Sequence, residues 1–120
     1  MAILLTRDAI LGAMDIRQET VHVPEWGGDV QVRGMTGGER DALEDAVVTF
    51  RRGKKEVDLR KFRARMVAIC VVGEDGQQLF SADDVDGLAE KSAVALVRVF
   101  DVANRLSGLN AEDVEELVKN

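Results

Sequence analysis

Glu19-Thr20-Val21-His22-Val23-Pro24-Glu25-Trp26-Gly27-Gly28-Asp29-Val30-Gln31-Val32-Arg33 is the stretch that decides the fold. Its first part alternates, with Val21 and Val23 on one side and Thr20 and His22 on the other. Asp29 to Arg33 alternates again through Val30 and Val32. Alternation of period two is the mark of a half-buried strand, and Gly27-Gly28 between the two runs supplies the turn, so the stretch reads as a β-hairpin. Pro24 is the sole proline of the chain. Elsewhere no residue removes an amide donor or forces a kink, so helices can run uninterrupted.

Working outward, Thr6 can cap a short helix over Arg7 to Met14 with Ile10, Ala13 and Met14 on one face. After the hairpin, Thr36-Gly37-Gly38-Glu39 has capping-box spacing. The helix it opens is predicted to run to about Arg52, with Leu43, Ala46, Val47 and Phe50 as its apolar stripe. Arg51 to Asp58 reads as a charged, glycine-containing loop. Asp58 then caps a helix from Leu59 to about Val72 that places Leu59, Phe62, Met66, Ile69 and Cys70 on one face. Its end, Val67 to Val72, is rich in β-branched residues that also suit a strand; helix is the reading taken. Glu74-Asp75-Gly76 is a turn before an extended piece, Gln77 to Phe80. Ser81-Ala82-Asp83-Asp84 is a second capping box, stapled by Phe80 and Val85, opening a short helix to about Ala89. Ser92 to Leu106 carries only the narrow polar stripe Arg98, Asp101 and Arg105, so it is expected to be the most buried helix. Gly108 suits a left-handed C-terminal cap, and Asn110 starts a last helix over Ala111 to Val118. The fold class is therefore α+β, mainly α: an N-terminal β-hairpin packed on a bundle of about four to six helices, as one domain over residues 1–120.

The composition removes several classes of function. The net charge is −6, which opposes generic nucleic-acid binding, since that needs cations to displace counterions. No apolar run approaches the ~18 residues of a membrane span. One cysteine, Cys70, permits no internal disulfide, and the apolar start Met1 to Leu5 is too short for a signal peptide, so a cytoplasmic location is expected. His22 is the one histidine and falls on the outer side of a strand; Cys70 falls in an apolar run. A nucleophile–base pair or a zinc set cannot be assembled from them. The glycine pairs lack the Gly-Lys-Ser/Thr of a phosphate loop. Clustered acids at Asp83, Asp84 and Asp86, and at Glu112, Asp113, Glu115 and Glu116, lie in first turns of helices, where the dipole favours them. A non-enzymatic protein with no cofactor and no metal is the reading.

Charge is unevenly spread. Arg51, Arg52, Lys54, Lys55, Arg60, Lys61, Arg63 and Arg65 face only Glu56 and Asp58, which leaves +6 in this segment and −12 elsewhere out of −6 overall. Such a segment is a docking patch for an acidic partner or a neighbouring copy of the chain, or else a solvated face. Trp26 either folds back on the core or anchors a partner. The candidate protein-binding residues are therefore Trp26, Arg51, Arg52, Lys54, Lys55, Arg60 and Arg63.

Three stretches together resemble the tail assembly chaperones of tailed phages and prophages: Glu19 to Gly28 with Val30-Gln31-Val32-Arg33; Gly38-Glu39-Arg40-Asp41-Ala42-Leu43-Glu44; and Lys91-Ser92-Ala93 with Leu106-Ser107-Gly108-Leu109 and Lys119-Asn120. Arg63-Ala64-Arg65 and Asp75-Gly76 with Leu79-Phe80 look similar too. The resemblance implies a chaperone that binds the tape measure protein and recruits tail tube protein, works in the host cytoplasm and is absent from the mature virion. It also implies a second, longer form made by frameshifting, for which Lys119-Asn120 would be the slippery codons. The alternative is a regulatory or adaptor module that binds one folded partner in a phage or bacterial complex.

Overall fold

The computed structural model describes residues 3–58 and 61–108. The expected hairpin is present: β1 (Gln18–Val23) and β2 (Gly28–Arg33) pair antiparallel from Gln18↔Arg33 to Val23↔Gly28. A 3-10 turn over Pro24–Trp26 joins them, and Gly27 closes it at φ 75°, a left-handed conformation that glycine takes without a Cβ penalty. Val21, Val23 and Val32 face the core, while His22 stands on the solvent side, with its Nδ1 2.7 Å from Asp29 Oδ1.

The capping box at Thr36 forms as expected: Thr36 Oγ1 accepts from Glu39 N and Glu39 Oε1 accepts from Thr36 N. The helix it opens, α2 (Gly37–Val47), stops well short of Arg52. Val48-Thr49-Phe50-Arg51 is instead strand β3, paired antiparallel with β4 (Lys54–Val57). The expected charged loop is thus a second hairpin, and Arg52 and Gly53, at φ 55° and 78°, form its two-residue turn. Positive φ at both central positions matches the twist of the flanking strands. Three β-branched or aromatic residues in succession suit a strand better than a further helical turn. Within the expected stripe, Leu43 and Val47 are buried, whereas Ala46 and Phe50 are exposed.

The next helix, α3 (Phe62–Cys70), begins after Lys61 in a left-handed conformation rather than at an Asp58 cap. It ends at Cys70. Val71–Val72 is strand β5, which adds to β2 through Gln31↔Val72 and Val32↔Val71, so the ambiguous run divides between helix and strand. The sheet order is β1-β2-β5. Six of the nine residues of α3 are buried, including Met66 and Val67 with no exposed surface.

The second capping box forms at Ser81 and Asp84, leading through a 3-10 turn into α4 (Val85–Ala89). The helix α5 (Ala93–Leu106) is capped by Ser92 and buries Ala95, Leu96, Val99, Phe100 and Ala103. It packs on α3 and across the β1–β2 hairpin. It is less enclosed than expected: α3 takes the central place, and α5 leaves Val94 60% exposed. Its polar stripe has a structural use. Arg98 pairs with Glu25 and Arg105 with Glu19 (2.7 Å), fastening α5 along the hairpin. Gly108 follows at φ 73°, as a left-handed cap requires. Phe62 meets Phe100 edge-to-face at 6.0 Å, and the guanidinium of Arg63 lies 5.5 Å from the Phe100 ring centre.

Two contacts tie the end of α5 to the end of β2. Ser107 Oγ accepts from Met35 N at 3.0 Å. A Cβ at Gly34 would lie 2.5 Å from the Leu106 carbonyl oxygen, so only glycine allows this approach. The architecture is α+β, as expected, with more strand than a hairpin on a helical bundle would have. The predicted last helix over Ala111 to Val118, its cap Asn110, and Lys119-Asn120 lie outside the described residues.

Candidate functional site

Side chains that the fold does not use mark the candidate site. Thr6 caps α1 (Arg7–Leu11), its Oγ1 accepting from Ala9 N, and Gly12 ends it. The expected helix is therefore shorter, and its apolar face is exposed among the described residues. Ile3, Leu4, Leu5, Ile10, Leu11, Met14 and Ile16 are 37% to 101% exposed. Seven large apolar side chains on one short arm exceed the scattered singles of an ordinary soluble surface. The arm enters the body at Arg17, whose carbonyl accepts from Gly34 N at 3.0 Å.

A second apolar surface lies between α3 and α5. It is a groove of about 360 Å³ lined by Phe62, Ala64, Ala89, Ala93, Leu96 and Val97, with Lys61 and Arg63 at its rim. Lys61 also pairs with Asp86, and the ammonium beside it holds the Asp86 carboxyl below the usual carboxylate range.

The third feature is the β3–β4 hairpin. Its turn brings Arg51, Arg52, Lys54 and Lys55 together, all exposed, and none forms an ion pair among the described residues. Of the other candidates, Arg63 belongs to the groove and is committed to the Phe100 ring, and Arg60 lies outside the described residues. Trp26 is half-buried at the β1–β2 connection, packed against the core beside α5, and is not brought to the basic cluster. Sequence reasoning missed Phe50 and the arm. Phe50 had been placed in a core stripe; the arm was read as an amphipathic helix whose cover the sequence does not reveal.

The titratable groups are structural. Burial pushes the Cys70 thiol up to about 11, far from the range of a reactive thiolate. Arg33 grips Glu39 through two hydrogen bonds of 2.7 and 2.8 Å, which holds the Glu39 carboxyl below the usual range. Among the described residues no three His, Cys, Asp or Glu side chains gather to hold a metal, and no helix is long and apolar enough to cross a membrane.

A search of curated protein sequences returned no match. Among solved structures, the bacteriophage HK97 tail assembly chaperone is similar, with a TM-score of 0.53 and 25% identity over 76% of this chain and 85% of that one. A family model described as phage tail assembly chaperone matches residues 6–120. With that match spanning nearly its whole length, the chain belongs to the phage tail assembly chaperone family.

Proposed function

We propose that this protein keeps the phage tape measure protein soluble in the host cytoplasm and presents it to tail tube subunits while the tail is built. The observation that carries the reading is the uncovered apolar arm, residues 3–16, on a chain of this family. A long helical chain with an apolar stripe aggregates unless that stripe is covered. The arm and the α3–α5 groove offer apolar cover, in the manner of helix-in-groove recognition, and no catalytic group is needed. The basic residues Arg51, Arg52, Lys54, Lys55, Arg60 and Arg63 steer acidic partners and fix register rather than supply bulk affinity. Trp26, with part of its ring open to solvent, is the remaining protein-binding candidate. Weak sites repeated along a tape measure would act through avidity, so many copies of the chaperone load one chain.

Co-expression with a tape measure fragment tests this. The wild-type protein should hold the fragment in the soluble fraction at several copies per fragment. A variant with Leu4, Leu5, Ile10 and Leu11 changed to Ser should fold and leave the fragment in the pellet. Binding at one copy per partner, indifferent to the arm, would favour the adaptor reading instead.

A further inference from the structure

We infer that the acidic segment that follows α5, residues 109–120, folds back along that helix and seats its apolar face in the α3–α5 groove of the same molecule. The inference does not rest on the tape measure reading, because groove and segment belong to one chain.

The groove asks for a particular occupant. Phe62, Leu96 and Val97 give it apolar walls, and Lys61 and Arg63 stand at its rim. The apolar surface runs on to Val94, exposed one turn before Val97. No carboxylate lines the groove among the described residues. The guanidinium of Arg63 lies over the Phe100 ring and meets no carboxylate among the described residues. An apolar groove with a cationic rim takes an amphipathic helix whose apolar face is edged by carboxylates.

Residues 109–120 have that composition. At the helical period Ala111, Val114, Leu117 and Val118 share one face, with Asp113 along one edge of it and Glu115 along the other. Lys119 is the one cation against the carboxylates of Glu112, Asp113, Glu115 and Glu116. The chain is also turned the right way. Gly108, at φ 73°, ends α5 in a left-handed cap, and a connection this short makes consecutive helices antiparallel neighbours. Val97 lies about 14 Å back along α5 from Leu106, and a helix over 111–118 is about 12 Å long. Folding back therefore brings Leu117 and Val118 to the Val97 end of the groove, with Asp113 and Glu115 toward the basic rim. A helix this short is marginal in water by itself, so it forms as it seats. The short tether raises its effective concentration at the groove to millimolar levels, so a weak contact suffices. While the segment is seated, the groove admits a partner's helix only by exchange.

A nitroxide attached at Lys119→Cys reads the contact in the full-length chain, since Cys70 is fully buried and is not labelled. At low protein concentration, paramagnetic broadening of the amide signals should be strongest at Val94 to Val97 and at Arg63. A segment left in water would instead broaden most the residues at its root, Ser107 and Gly108. Changing Val114, Leu117 and Val118 to Ser should abolish the broadening at the groove while the body stays folded. D113K with E115K should lower the seating equilibrium constant about fivefold, as for two exposed ion pairs of ~0.5 kcal/mol each, and added salt should lower it in the wild-type segment. Broadening that is strongest at the root, or that both sets of substitutions leave unchanged, would overturn the inference. Broadening that passes from a labelled chain to an isotope-enriched, unlabelled chain mixed with it would also overturn it, seating the segment on a second copy. Broadening confined to residues 3–16 would do the same and place the segment on the arm.

Discussion

The body of the molecule and its two projections are built on opposite terms. In the body, α3 is enclosed by α5, α4 and α2, and Phe62, Ala64, Met66, Val67, Ala68 and Cys70 are spent on internal packing. In the arm and the β3–β4 hairpin, the large apolar side chains meet water. The contrast teaches which residues carry the stability of the protein and which are left free of that task. Substitutions in the body should be costly to folding, and substitutions in the projections should be nearly silent to it.

The largest effect expected is at Phe100, which is 9% exposed and meets Phe62 edge-on. Phe100→Ala should destabilise by about 3–5 kcal/mol in a denaturant melt; a loss under about 1 kcal/mol would dissolve the distinction between body and projections. Next is Gly34→Ala. Its new methyl meets the Leu106 carbonyl oxygen at 2.5 Å, a backbone atom that cannot swing aside. A loss of about 1–3 kcal/mol is expected, as for other forced overpacking, and an unchanged melt would mean that the end of α5 is not pinned to β2.

A third variant sharpens the comparison within the body, at the start of the helix that carries the hairpin. Glu39→Gln removes the charge gripped by Arg33 at the start of α2, and should cost about 1–3 kcal/mol near neutral pH, the range for losing a charged hydrogen-bond partner. Since folding lowers the Glu39 pKa from 4.5, the stabilisation is fully present above that value. It is lost as pH falls through the lower folded value. Melts of wild type and variant should converge once the pH lies below that folded value; a constant gap would contradict the linkage. The smallest effect concerns the arm. Changing Leu4, Leu5, Ile10 and Leu11 to Ser should shift stability by no more than about 0.5 kcal/mol, since these side chains lose no buried contact. A larger loss would show that the arm covers its own body.

The first hairpin was legible because two alternating runs flank a glycine pair, and the caps at Thr6, Thr36 and Ser81 were legible because the spacing of a hydroxyl and its partners is local chemistry. The second hairpin was not. Leu43, Ala46, Val47 and Phe50 satisfy a helical period, and tertiary packing ended the helix three residues before Phe50. The β-branched Val48 and Thr49 with Gly53 were the available signal, but Arg52-Gly53 is not the usual Asn-Gly of such turns. Of the candidate site, the basic residues could be read from composition alone. The exposure of the arm could not, because a sequence shows which face is apolar but not whether anything lies against it.

The passage from α2 to β3 has a mechanical consequence. Val47 is the last residue of the helix and Val48 the first of the strand, with no linker between them. Hinges absorb changes in φ and ψ at loop or element-terminal residues; here that change would fall on Val47, which is buried, and Val48, which packs against the core. The hairpin is therefore carried like a crank on a stiff shaft, and the Arg33–Glu39 grip at the far end of α2 is its bearing. A load applied at the tip would reach the sheet as torque rather than be lost in a flexible loop.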